Sequence, residues 1–242
     1  MTTTCKNCNQ TFTGNYCNNC GQPAKTHKLD FHFLWHDIQH GLLHIDRGIF
    51  YSAKELFTRP GHSIREFIEG KRINHFKPIS LIVILATIYG VLYHNSHIHL
   101  MTSPNNSELN LNEFNEWAAT HFAWITLATV PLYTIGTYIC FRKQNYNLIE
   151  YLILNTFKGS QRLFAHIALF PLLYYYNDTP HITTITSINY VIDLILIFWT
   201  NIQFFNKLTK TKAFLLSVLS HIIFLIMFIL VTLILLIFLN KL

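Results

Sequence analysis

The sequence predicts an all-α integral membrane protein headed by a small cysteine-rich unit. Three observations carry that expectation. Hydrophobic residues make up 51% of the 242 and charged residues only 12%, against about 25% charged in a soluble domain. Beyond residue 77 the apolar residues gather into stretches near the roughly 20 residues a helix needs to cross a bilayer. At the other end, Cys5-Lys-Asn-Cys8 and Cys17-Asn-Asn-Cys20 place four of the five cysteines in two Cys-x-x-Cys pairs.

The cysteine pairs come first in the chain. Four thiolates at this spacing can close a tetrahedron around one zinc ion. Residues 1–22 therefore read as a zinc ribbon with Cys5, Cys8, Cys17 and Cys20 as ligands. Only Phe12 and Tyr16 offer it a core, so metal binding must supply the folding free energy, on the order of 10 kcal/mol or more. Gly21 follows the second pair, where a residue free to take positive φ suits a tight turn. The first thirty residues read as polar, without the apolar run of a secretory signal. On a basic, cytosolic side the pairs read as metal ligands and not as disulfides. Cys140 lies alone in an apolar stretch. No internal repeat is apparent. Residues 23–30 read as a linker.

Residues 31–77 read as juxtamembrane amphipathic helices lying at the cytoplasmic surface, apolar faces inward. Phe31, Leu34, Trp35, Ile38, Leu42 and Ile45 follow helical spacing and predict a helix over 31–58, weakened at Gly41 and Gly48. Arg59-Pro60-Gly61 predicts a break. A second helix is expected over 62–72, with Ile64, Phe67 and Ile68 on one side.

Residues 78–242 read as a transmembrane helical bundle of about five spans: 78–93, 117–141, 151–176, 185–205 and 213–239. Lys158, Gln161 and Arg162 interrupt the third. That predicts a long helix whose basic first half extends into the cytoplasm, with lipid met only from about Leu163. Lysine and arginine set the orientation. Residues 1–77 hold ten of the eighteen, and residues 94–116 hold none. Arg142 and Lys143 follow the second span, and Lys207, Lys210 and Lys212 follow the fourth. The alternation predicts five spans with a cytoplasmic N-terminus and the C-terminus outside.

Candidate chemistry gathers in three further places. His32, His36, His40 and His44 recur every fourth residue, near Asp37 and Asp46. Imidazoles at i and i+4 share a face and can hold a metal. Each step drifts about 40° around the helix, so all four cannot share one ion, and ordinary hydrogen bonding at an interface is the plainer reading. Arg59, Arg65, Lys71, Arg72 and Lys77 could hold a lipid phosphate or a partner's carboxylate. Asp193, His121, His166 and His221 fall inside apolar spans, where a charge is costly unless paired. Asp193 is expected to pair with His166 or His221. Lys6, Lys25 and Lys28 are too few for direct nucleic-acid contact. Nucleotide-binding glycine loops and serine-hydrolase elbows are missing from the sequence.

The order of these motifs is itself informative: Cys-x2-Cys-x8-Cys-x2-Cys-Gly, His36-Asp37-x2-His40-x3-His44-x-Asp46-Arg47-Gly48, Lys54-Glu55-Leu56-Phe57-Thr58-Arg59-Pro60-Gly61, Arg65-Glu66-Phe67-Ile68-Glu69-Gly70-Lys71-Arg72, then Phe76-Lys77-Pro78. It resembles an uncharacterised bacterial family, a domain of unknown function, of zinc-ribbon polytopic membrane proteins. The resemblance is specific over residues 5–80 and loose beyond. It implies a ribbon, surface helices and a membrane bundle, and carries over no catalytic residues. In architecture alone the chain is also similar to small multi-spanning accessory proteins of RNA-targeting CRISPR effectors.

Three functions are then open. The first is a non-enzymatic inner-membrane accessory or regulatory protein, whose ribbon and juxtamembrane helices bind a cytosolic protein, for instance a defence effector. The second is a membrane enzyme acting on a lipid or lipid-linked substrate through His36, His40, His44 and Asp46, with Arg59, Arg65 and Arg72 on a phosphate. The third is an oligomeric pore. Zinc and membrane lipids are the expected ligands, and self-association into a homo-oligomer is compatible with each.

Overall fold

A computed structural model describes residues 2–26, 29–30, 48–96, 98 and 111–239, with backbone alone at 111–115 and 235–239. Most of the first expected helix, with His32, His36, Asp37, His40, His44 and Asp46, lies outside the described residues.

The N-terminal unit is built on a short hairpin. Strand β1 (Thr2–Thr4) pairs antiparallel with β2 (Thr11–Thr13), Thr3 opposite Phe12. Phe12 is buried against Cys5 and Cys17 in a small core of its own. Tyr16, expected to share that core, is 65% exposed.

Eight helices follow among the described residues: α1 (Gly48–Thr58), α2 (Pro60–Glu69), α3 (Pro78–Asn95), α4 (Leu111–Thr120), α5 (Phe122–Phe141), α6 (Leu148–Tyr175), α7 (Ile182–Phe204) and α8 (Lys210–Leu239). The expected break falls at Arg59, and Pro60 opens α2, where its missing N–H costs no helical bond. Gly70 ends α2 at φ 120°, its N–H returning to the carbonyls of Glu66 and Phe67. Asn147 starts α6 with a reciprocal cap: its side chain accepts from the Glu150 N–H at 2.9 Å and its own N–H donates to Glu150 at 2.8 Å.

Among the described residues, four helical stretches are long and apolar enough to cross a membrane, over Pro78–Asn95, Phe122–Gln144, Ile182–Phe204 and Lys210–Ile234. The second starts later than expected, because the helix is interrupted at His121 and α4 stands before it. The expected third span is α6, one continuous helix of 28 residues, and its composition keeps it out of that group of four. Its basic first half, expected to extend into the cytoplasm, is covered by protein. Asn155 and Lys158 are 3% exposed and Gln161 is fully buried.

The packing explains how α6 tolerates those residues. Helix α3 packs on α5, α5 on α8, and α8 on α7; α6 lies across the remaining side against α3, α5 and α7. Its first half is also covered by α1 and α2, and α2 packs on α7. Rather than only lying on a surface, the two short helices join the bundle. Gln161 Nε2 donates to the Leu56 carbonyl at the end of α1 (2.6 Å), and Thr200 donates to Gln161 Oε1 (2.9 Å). Glycine permits two close approaches of one helix to the backbone of another. A Cβ on Gly61 would strike the Phe204 amide, and one on Gly136 would come within 2.8 Å of the Ser220 carbonyl.

Candidate metal centre and charged bundle interior

The two cysteine pairs are copies of one turn. Cys5-Lys-Asn-Cys-Asn-Gln10 and Cys17-Asn-Asn-Cys-Gly-Gln22 repeat after twelve residues. In each, the first cysteine's N–H donates to the glutamine carbonyl (2.9 Å in both), and its carbonyl accepts from the fifth residue's N–H (2.9 and 2.8 Å). That fifth residue must turn left-handed. Gly21 does so at φ 75° and Asn9 at φ 59°, asparagine being among the few side chains that tolerate this region. The repeat is a signal in the sequence that the motif reading passed over.

The turns bring the four sulfurs together. Cys5 and Cys20 Sγ lie 3.5 Å apart, as do Cys8 and Cys17 Sγ, and all four lie within 4.8 Å of one another. A tetrahedron with zinc–sulfur bonds of about 2.3 Å has edges of about 3.8 Å, so the donor set fits that ion. The sulfurs are held unequally: burial pushes the Cys5 thiol up to about 11, while the Gln10 backbone and then Asn19 bring Cys8 down to about 6. The Asn7 N–H points at Cys5 Sγ (3.4 Å), orienting it. Thiolate is the ligating form, and metal uptake releases the remaining protons.

The centre is seated on the bundle. Gln22 is 1% exposed, and its Oε1 accepts the Arg72 backbone N–H at 3.1 Å. Gly70, beside it, leaves room for the Lys6 side chain, whose Cδ would lie 2.7 Å from a Cβ there. Below the seat, His75 Nε2 meets Ser63 Oγ at 3.2 Å, and its ring lies edge-on to Tyr51, Phe67 and Phe157. Burial, then the positive charge of Arg59, brings His75 down to about 4. His75 was not singled out in the sequence, and nothing in its local pattern marks it.

The basic residues expected to meet phosphate are largely engaged within the protein. Arg59 grips Glu66 with two bonds of 3.1 Å and Glu55 at 2.6 Å. Its bond to Glu66 holds the guanidinium above its ordinary value. Burial would raise the Glu66 carboxyl, but Arg59 and Lys71 hold it lower. Lys71 pairs with Glu66 at 3.4 Å. Arg65 donates to the last carbonyls of α7, Gln203 (3.0 Å) and Phe204 (2.9 Å), where a cation suits the helix C-terminus. Arg72 does the same for α2, donating to Phe67 and Ile68. Lys77 is partly buried ahead of α3.

Inside the bundle a second cluster joins four helices. Asp193 on α7 accepts from His166 on α6 (3.0 Å) and faces Arg162 at 3.6 Å. Of the two histidine partners expected for Asp193, His166 fills the role. His221 on α8 instead links two tyrosines, Tyr133 at 3.2 Å and Tyr190 at 3.0 Å. Lys158 donates to Asn155 Oδ1 at 2.8 Å, and Thr137 meets both Asn155 and Ser220 at 3.3 Å. Tyr133, Asn155, Lys158 and Arg162 were missed as members of a site. His121 stands apart, bonding the Trp117 carbonyl at 2.9 Å.

Fold and centres together define a membrane-associated helical protein with four long apolar helices and an N-terminal four-cysteine cluster able to hold a metal. Residues 46–90 match the family described as "Protein of unknown function (DUF3667)", a stretch that takes in α1, α2, the seat of the ribbon and most of α3. No curated protein and no solved structure matches the chain.

Proposed function

We propose that this chain is a non-enzymatic inner-membrane accessory or regulatory protein, in which a zinc ribbon and helices α1 and α2 form a cytosolic platform for a protein partner. The observation that carries this reading is the four-thiolate cluster seated through Gln22 on the Arg72 backbone. Four sulfur ligands leave a zinc ion no position for water or substrate. The metal then serves shape, and the seat transmits that shape to the membrane helices. Large side chains stand ready for a partner: Tyr16 is 65% exposed on the ribbon, and Phe50 is 84% and Phe57 41% exposed on α1. Exposed aromatics of this kind are enriched at protein interfaces.

In this reading the chain crosses the bilayer five times from a cytoplasmic N-terminus. Asn147, at the start of α6, donates to the Leu29 carbonyl (3.2 Å), and Phe204, at the end of α7, accepts from Arg65. Both therefore lie at the ribbon end, and α6 runs the length of the bundle between its neighbours. Arg142, Lys143, Lys207 and Lys210 gather at the same end, as cytoplasmic loops do.

The test is a photo-crosslinking residue placed at Tyr16 in cells. A discrete adduct of constant mass, lost when Cys5, Cys8, Cys17 and Cys20 are all changed to serine, is the expected result. The same adduct on the unfolded ribbon, or none on the intact one, would sink the platform.

A further inference from the structure

We infer that the bundle interior around Lys158 and Arg162 is a binding site for a phosphate-class oxyanion. The argument starts from unbalanced charge. Lys158 is 3% exposed, and its one hydrogen bond among the described residues goes to the neutral Asn155 side chain at 2.8 Å. An ammonium carries three N–H groups. Among the described residues no carboxylate pairs with it. One turn along α6, Arg162 has Asp193 at 3.6 Å, while its Nε finds no acceptor among the described residues. Asp193 is also taken by His166 at 3.0 Å. Asp193 thus answers Arg162 and His166, while no carboxylate among the described residues answers Lys158, and an uncompensated charge inside a packed bundle is costly.

Both basic side chains also lie against one ring. Lys158 Nζ lies 5.9 Å and Arg162 Cζ 5.1 Å from the centre of the same ring, Tyr133. Cation–π contact accounts for part of their stability there, and the Tyr133 hydroxyl also bonds Arg162, but the ring gives Lys158 no acceptor. An oxyanion does. Ammonium and guanidinium donors are the groups that hold phosphate, and the hydroxyls of Tyr133 and Tyr190 stand close by on either side of His221. The local sign of charge rules out a metal cation. A phosphate, with three or four oxygens, meets more of these donors than a carboxylate would. The cluster can be reached: the side chains of Arg162, His166 and Asp193 remain 20, 22 and 12% exposed. A lipid headgroup and free phosphate present the same chemistry here, and the site does not depend on the ribbon.

The test follows thermal unfolding of the purified full-length protein by tryptophan fluorescence. One series titrates inorganic phosphate in neutral detergent against chloride at equal ionic strength. The other compares nanodiscs of phosphatidylglycerol with nanodiscs of a neutral galactolipid that carries no phosphate. The wild type is expected to gain stability in at least one series. A gain with inorganic phosphate assigns a soluble anion, and a gain with phosphatidylglycerol alone assigns a headgroup. Lys158→Met should weaken the apparent affinity about tenfold or more, the loss of one charged hydrogen-bond donor, and Arg162→Lys should keep a weaker response. Should Lys158→Met not fold, Arg162→Gln is read the same way. No gain in either series, or an equal gain in the charge-removing variant, would overturn the site.

Discussion

His75 holds together the junction beneath the ribbon, and its chemistry makes that junction sensitive to acid. Its ring is neutral in the fold down to about pH 4, whereas an unfolded histidine takes up its proton near 6.5. The unfolded chain therefore binds more protons between those values, so stability is full above pH 6.5 and falls as pH drops through 4. The whole effect is about 3 kcal/mol. In His75→Gln, which keeps a partner for Ser63, the melting temperature should fall less steeply between pH 6.5 and 4 than in the wild type. Parallel slopes would contradict this assignment. Gln22 makes a second such point. Gln22→Ala leaves the Arg72 N–H without its acceptor, at about 1–3 kcal/mol. The ribbon should keep its metal yet lose protection at the seat, read as faster proteolysis near residues 23–30.

The helices show where sequence patterning suffices and where it does not. Arg59-Pro60-Gly61 announces the break before α2 through backbone chemistry alone. It does not announce that Gly61 lies against the amide of Phe204, because that contact belongs to a helix far along the chain. Gly61→Ala should push α2 off α7, cost about 1–3 kcal/mol as overpacking does, and lower the melting temperature. An unchanged melting temperature would mean that α2 is not docked there. Helix α6 is the larger lesson. Its hydropathy counts Lys158, Gln161 and Arg162 as polar whoever surrounds them, so the sequence places them in water. The leucine carbonyl, threonine and tyrosine that receive them come from α1, α7 and α5. Asp193 was readable as needing a partner and His166 as one of two choices. Arg162 was hidden because its partner Asp193 sits on another helix, 31 residues further along the chain.

The whole molecule joins a four-cysteine unit able to hold a metal to a bundle of long apolar helices at one end. The four cysteines were legible because their spacing is set by coordination geometry, and the long apolar helices because bilayer thickness sets their length. The seat between the two was not legible, since Gln22 and Arg72 are fifty residues apart and neither stands out locally. The proposed five-crossing arrangement makes a direct prediction. Single cysteines in a background free of native thiols should react with impermeant maleimide from outside at Asp178 and only after permeabilisation at Lys143. The opposite pattern, or both positions on one side, would reverse or break the topology. Loss of the ribbon's cysteines should not alter it, because α1 to α8 pack on one another without the metal.

Metal content per chain tests the central claim most directly. The intact protein and a variant with Cys5, Cys8, Cys17 and Cys20 all changed to serine would be purified in detergent and measured side by side. One zinc in the first and none in the second is the expected result. No zinc in the intact protein would remove the ribbon. A metal that survives loss of the four thiols would place a second site elsewhere in the chain and contradict a purely structural role for metal in this protein.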